Sequence, residues 1–78
     1  MVKSFDELRA DLAAEIKQSR KWLGLSQEAL ALQAEVDRTY VSQLERGVAN
    51  PSLLILHRIY SVFIPTYATT PNILKHLL

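Results

Sequence analysis

The stretch "VDRTYVSQLERGVANPS", residues 36–52, places side chains suited to recognition on a helix that must also carry a core. At helical spacing Arg38, Thr39, Ser42 and Gln43 fall on neighbouring positions of one side. A guanidinium presents a planar fork of donors that matches guanine O6 and N7. A glutamine amide suits adenine, and hydroxyls can meet a base edge or a thymine methyl. The same four residues are also what a solvated helix surface carries, and Arg38 could serve as a phosphate contact instead. Gln27 opens a separate helical run, where outward-facing amides and the helix dipole suit a phosphate. Arg46 and Asn50 flank the turn that follows and are placed to clamp a sugar–phosphate backbone.

Positioning these groups requires helices, and the sequence marks where they start and stop. Leu8, Leu12, Ile16 and Leu23 recur at helical spacing and predict a first helix over about 5–22. Ser26 caps a second, "QEALALQA". Asp37 caps a third that runs to Arg46, and Gly47 stops it. Pro51 and Ser52 open a fourth, "LLILHRIYSVF"; Pro65 ends it, "TYATT" follows as a loop, and Thr70 with Pro71 starts a fifth, "PNILKHLL". Neither a strand pair nor a repeat is legible. The expected class is all-α, one five-helix domain over residues 1–78.

Counting from Gln27 as position one, Ala31 is fifth, Val36 tenth, Val41 fifteenth and Leu44 eighteenth. Two helices crossing steeply through a short turn need a small residue where the backbones meet and apolar plugs on their inner sides, and these positions supply both. The pattern, spanning about residues 26–46, is a helix-turn-helix, whose second helix enters the major groove. "SQEALA", "RTYVSQLERG" and "NPSL" at their mutual spacing resemble the lambda-repressor-like (Xre) helix-turn-helix family, over about Ile16 to Ile59. Within it the chain is most similar to small stand-alone regulators such as restriction–modification controller proteins.

The resemblance implies base reading by Arg38, with Thr39, Ser42 and Gln43 beside it, and backbone contact by Gln27, Tyr40, Arg46 and Asn50. It also implies a structural ion pair between Arg20 and Glu45 that ties helix one to helix three. Two departures stand out. Glu35 occupies the turn position where the family usually has glycine, and "FIPTYATTP" is a longer continuation than usual. The implied activity is transcriptional regulation by a homodimer on a near-palindromic operator in double-stranded DNA. A restriction–modification controller is favoured over an antitoxin-type or phage repressor, and RNA polymerase is a candidate partner. A bacterial or phage source and a cytoplasmic location follow from the same resemblance. The competing class is a protein-interaction module that keeps the fold without binding DNA.

Composition narrows the classes further. A chain of 78 residues supports one small core, and without cysteine it has neither disulfides nor a thiolate metal site. At 49% hydrophobic and 22% charged it reads as globular. No apolar run reaches membrane-spanning length, and the acidic N-terminus does not resemble a signal peptide. The net charge of +1 argues against a non-specific nucleic-acid coat. All eight acids lie at or before Glu45, so any basic patch must be assembled by folding. His57 and His76 stand apart from acids at ligand spacing and read as surface or packing residues. No catalytic arrangement and no cofactor loop is recognisable, so an enzyme is not expected. The fourth helix is apolar nearly all round. Leu54, Ile55, Tyr60, Val62 and Phe63 are the expected dimer face, joined by Ile73, Leu74, Leu77 and Leu78 within the segment 52–78.

Overall fold

A computed structural model describes residues 3–64. They form α1 (Phe5–Trp22), α2 (Gln27–Ala34), α3 (Arg38–Glu45) and α4 (Leu53–Phe63), with no strand among the described residues. The expected fifth helix, His76 and the apolar residues from Ile73 to Leu78 lie outside them.

Each helix begins where a short polar side chain can take the first free amides. Ser4 Oγ accepts from the Glu7 amide while the Glu7 carboxylate accepts from the Ser4 amide, a reciprocal box that closes the start of α1. Ser26, Asp37 and Ser52 accept from the amides of Ala29, Thr39 and Ile55 at 2.9, 2.7 and 3.2 Å.

The first three helices end alike. In each, one amide reaches five residues back: Leu25 to the Arg20 carbonyl, Val36 to Ala31 and Val48 to Gln43, at 3.1, 3.0 and 3.1 Å. The residue before each of these amides is left-handed, which completes a Schellman termination. Gly24 and Gly47 fill that position at φ 72°, and Glu35 fills it at φ 59°. A side chain there costs roughly 1 kcal/mol. Arg58 of α4 donates to the Glu35 carbonyl at 3.4 Å, so the turn that lacks glycine has a donor from outside it. The expected departure at Glu35 therefore leaves the left-handed turn intact.

The core is built from one side of each helix. Leu12 and Ile16 of α1, Leu30, Ala31 and Ala34 of α2, Val41 and Leu44 of α3, and Ile59, Tyr60 and Phe63 of α4 are buried together with Ala49. Ala31, Val41 and Leu44 occupy the inner positions the spacing predicts, and Val36 is half-buried against them. The Tyr60 and Phe63 rings meet edge to face at 5.6 Å between centroids.

The expected dimer face of α4 needs correction at two residues. Tyr60 and Phe63 are only 4% and 2% exposed, because both belong to the core cluster shared by the four helices. Ile55 and Val62 are half-buried at the core margin. Of the five, Leu54 alone is open; Leu53 beside it and Ile64 at the far end of α4 are also exposed.

Candidate nucleic-acid interface

The placement of α3 is fixed from below. Val41 and Leu44 bury one side of the helix, and Glu45 anchors its last turn. Arg20 donates through Nε to Glu45 Oε2 at 2.6 Å and through Nη2 to Oε1 at 3.0 Å, a two-pronged pair. Its remaining terminal nitrogen donates to the Leu25 carbonyl at 2.8 Å, and Gln27 Nε2 donates to Glu45 Oε1 at 3.2 Å. One carboxylate thus takes donors from α1 and α2, and the same arginine holds the turn between them. The side chains retain only 11% and 3% of their exposure. The hydrogen bonds to Glu45 raise the Arg20 pKa further above its ordinary value, against the opposing effect of burial. The pair expected from the resemblance is present and satisfied.

Above this anchor, the outer side of α3 is open. Arg38 and Thr39 are exposed and Ser42 and Gln43 half-exposed, and none of their side chains has a hydrogen-bond partner among the described residues. Arg46 is exposed just past the helix end, beside Gly47. Asp37 caps the helix through its side chain, so the amides at the front of α3 are partly occupied by the protein itself.

The four residues expected at the DNA backbone divide. Arg46 is free in the sense just described. Tyr40 is half-buried against the core, and its hydroxyl donates to the Asn50 carbonyl at 3.4 Å. Asn50 is exposed, and its side-chain oxygen accepts from Arg9 Nη1 at 3.0 Å. Gln27 lies at the start of α2 as expected, but one of its amide hydrogens is engaged by Glu45, so the residue belongs to the anchor as well as to the surface. Sequence reading missed Arg9 and Arg58. Arg9 leaves a local trace, since Asp6 lies one turn earlier on α1, and the two pair at 2.9 Å. Its contact with Asn50 bridges 41 residues of chain and leaves none.

His57 is exposed on α4, and its carbonyl accepts from the Ser61 hydroxyl at 2.6 Å. No group of three or more metal-ligating side chains exists among the described residues, and none of their helices is long and apolar enough to cross a membrane.

A helix-turn-helix family model matches residues 16–63, well over half of the chain and all of α2, α3 and α4. An uncharacterized HTH-type transcriptional regulator of Methanothermobacter thermautotrophicus is 48% identical over 44 residues. That match covers 56% of this chain and 64% of the relative, so the chain spans a little under two thirds of that protein's length. Among solved structures, the restriction-modification controller protein C.AhdI from Aeromonas hydrophila superposes with a TM-score of 0.71 at 31% identity, over 74% of this chain and 88% of that one. A second controller, C.Esp1396I bound to a 25 base pair operator site, superposes with a TM-score of 0.68 at 31% identity, over 86% and 95% of the two chains.

Proposed function

The chain belongs to this helix-turn-helix family, and on that footing we propose that it is a sequence-specific, double-stranded-DNA-binding transcriptional regulator. The observation that carries the reading is the contrast within α3. Arg38, Thr39, Ser42 and Gln43 lack intramolecular partners among the described residues, while the helix beneath them is fixed by Val41, Leu44 and the Arg20–Glu45 pair. A fixed helix whose outward donors and acceptors have no partner in the protein suits base readout, because each contact then forms without first breaking an intramolecular hydrogen bond. The likeness to a controller protein solved on its operator supports the same role for α3.

In this proposal Arg38 reads guanine, Thr39, Ser42 and Gln43 line the same groove, and Arg46, Gln27, Tyr40 and Asn50 hold the phosphate backbone. The regulator acts as a homodimer on a near-palindromic operator, with half-sites about one helical turn of DNA apart. Leu53 and Leu54 at the start of α4 and Ile64 at its end are the exposed apolar side chains in the described part of the dimer face, and the segment from Pro71 onward completes that face. A restriction–modification controller is the favoured subtype, with RNA polymerase as a further partner. The competing reading, a protein-interaction module, rests on the modest net charge of +1 and on the non-glycine at Glu35, and the Schellman bonds formed at Glu35 weaken the second of these.

Selection from a pool of random duplexes tests the proposal. Enrichment of one sequence with two-fold-related halves is the expected result. Recovery of unenriched DNA, or of none, would overturn it. Sedimentation of the full chain tests assembly separately. A dimer weakened by deletion of residues 71–78 is expected, and a monomer at the concentrations where DNA is bound would remove the two-fold operator.

A further inference from the structure

Arg9 projects from α1, well away in sequence from the helix-turn-helix, yet it touches the segment between α3 and α4. Its Nη1 donates to Asn50 Oδ1 at 3.0 Å, its Nη2 to Asp6 Oδ1 at 2.9 Å, and its guanidinium carbon lies 5.5 Å from the centre of the Phe5 ring. We infer that Arg9 is a positioning residue for DNA binding: it selects one orientation of the Asn50 amide and so presents that amide's N–H donors to a phosphate. The inference rests on the DNA-binding reading above and adds to it a residue outside the family motif.

The selection follows from donor chemistry. An asparagine amide can turn over and exchange its oxygen for its nitrogen at nearly the same place. A guanidinium has donors and no acceptor, so it tolerates only the orientation with Oδ1 toward it. Nδ2 is then directed away from Arg9, and it has no hydrogen-bond partner among the described residues, on a residue exposed to solvent. The Tyr40 hydroxyl meanwhile donates to the Asn50 backbone carbonyl at 3.4 Å, which holds the same residue to α3. Asn50 is thereby fixed at two points, with both side-chain hydrogens available.

Arg9 is poorly suited to grip a phosphate itself. Asp6 lies at salt-bridge distance and offsets its charge, and Phe5 lies within cation–π range of the guanidinium. Counterion release follows from neutralising a phosphate, and Arg9 is instead paired with a carboxylate. The prediction is therefore specific: loss of Arg9 should weaken DNA binding without changing its dependence on salt.

The test measures binding of the selected operator and of random duplex at several salt concentrations. The proteins are the full chain, Arg9→Ala, Asn50→Ala, the double variant and Asn50→Asp, each checked for its melting curve. Arg9→Ala should lose roughly threefold to tenfold in affinity, the worth of one imperfectly placed hydrogen bond. The loss should be equal on both DNAs, with an unchanged log–log salt slope. The double variant should bind as Asn50→Ala does, because Arg9 acts only through that amide. Asn50→Asp keeps the acceptor for Arg9 and removes the donors. It should melt no lower than the unmodified chain and yet bind DNA at least as poorly as Asn50→Ala, a loss that a purely structural role would not produce. Multiplying losses in the double variant, with a salt slope flatter by about one, would make Arg9 a direct phosphate contact and overturn the inference. Unchanged DNA affinity of Arg9→Ala would overturn it as well, leaving the DNA-binding reading standing. Failure of the unmodified chain to bind either DNA would remove both.

Discussion

On the inner side of α3, Val41 and Leu44 are buried and the Glu45 carboxylate accepts hydrogen bonds from Arg20 and Gln27. On the outer side, Arg38, Thr39, Ser42 and Gln43 carry comparable hydrogen-bonding capacity and none of it is used among the described residues. The two sides belong to one helix of eight residues. Polar groups are therefore placed by different rules a few ångströms apart: saturated where they hold the fold, vacant where they face a partner. Substitutions on the two sides should accordingly separate stability from binding.

The largest effect is expected at the anchor. Truncating Arg20 or Glu45 to alanine strands a charge with little access to water, at a cost of roughly 3–5 kcal/mol. A domain this small holds on the order of 5 kcal/mol in all, so both variants should be close to unfolded at physiological temperature. Thermal melts of the two variants check this. Melting near that of the unmodified chain would mean that Glu45 is no anchor and that the inner side tolerates vacancy too.

A smaller effect should come from the α2–α3 turn, where the comparison can be sharpened without touching either side of α3. Glu35→Gly gives this turn the same left-handed residue as the turns at Gly24 and Gly47, and should stabilise the chain by roughly 1 kcal/mol. DNA affinity should not change. Chemical denaturation gives the first quantity and operator binding the second. A gain in affinity alongside stability would mean that the turn, and not only the anchor, sets the placement of α3.

The smallest effect concerns α1. The Ser4 amide and hydroxyl hold the Glu7 carboxyl below the ordinary carboxylate range. A depressed folded-state pKa adds stability above the unfolded-state value, and that stability is lost as pH falls through the folded-state value. Glu7 is fully exposed, so the first turn of α1 should fray on acidification while the core remains folded. Protection of the Glu7 and Leu8 amides against hydrogen exchange, taken relative to the intrinsic rate at each pH, should fall on acidification through the Glu7 titration, and Glu7→Gln should blunt that fall. Protection that does not change with pH would show that the capping box does not hold the turn.

Much of this architecture was legible in the sequence because the signals are local. Ser26, Asp37 and Ser52 announce the starts of α2, α3 and α4, and the two glycines announce the stops of α1 and α3. Ala31, Val41 and Leu44 follow from the spacing that steeply crossing helices impose. The side of α4 that faces inward is not legible, because a helix apolar nearly all round has no stripe to orient it; Tyr60 and Phe63, expected at the dimer face, lie in the core. The second role of Gln27 was hidden for a different reason. Its amide meets Glu45 across 18 residues, and nothing about a glutamine at a helix start distinguishes a partner in the protein from one in DNA. Arg9 and Asn50 are the extreme case, joined only by the packing of α1 beneath the α3–α4 segment.

The central claim is that the outer side of α3 discriminates between sequences, and it is tested most directly by Arg38→Ala on two DNAs. Binding of this variant, of Arg46→Ala and of the unmodified chain should be measured on the selected operator and on random duplex at two salt concentrations. Arg38→Ala should melt like the unmodified chain and lose roughly 1–3 kcal/mol on the operator while barely changing on random DNA, so that the ratio of the two affinities collapses. Arg46→Ala should lose similarly on both, with a salt slope flatter by about one unit. Equal losses on operator and random DNA for Arg38→Ala would contradict base reading by that residue and reduce it to a phosphate contact.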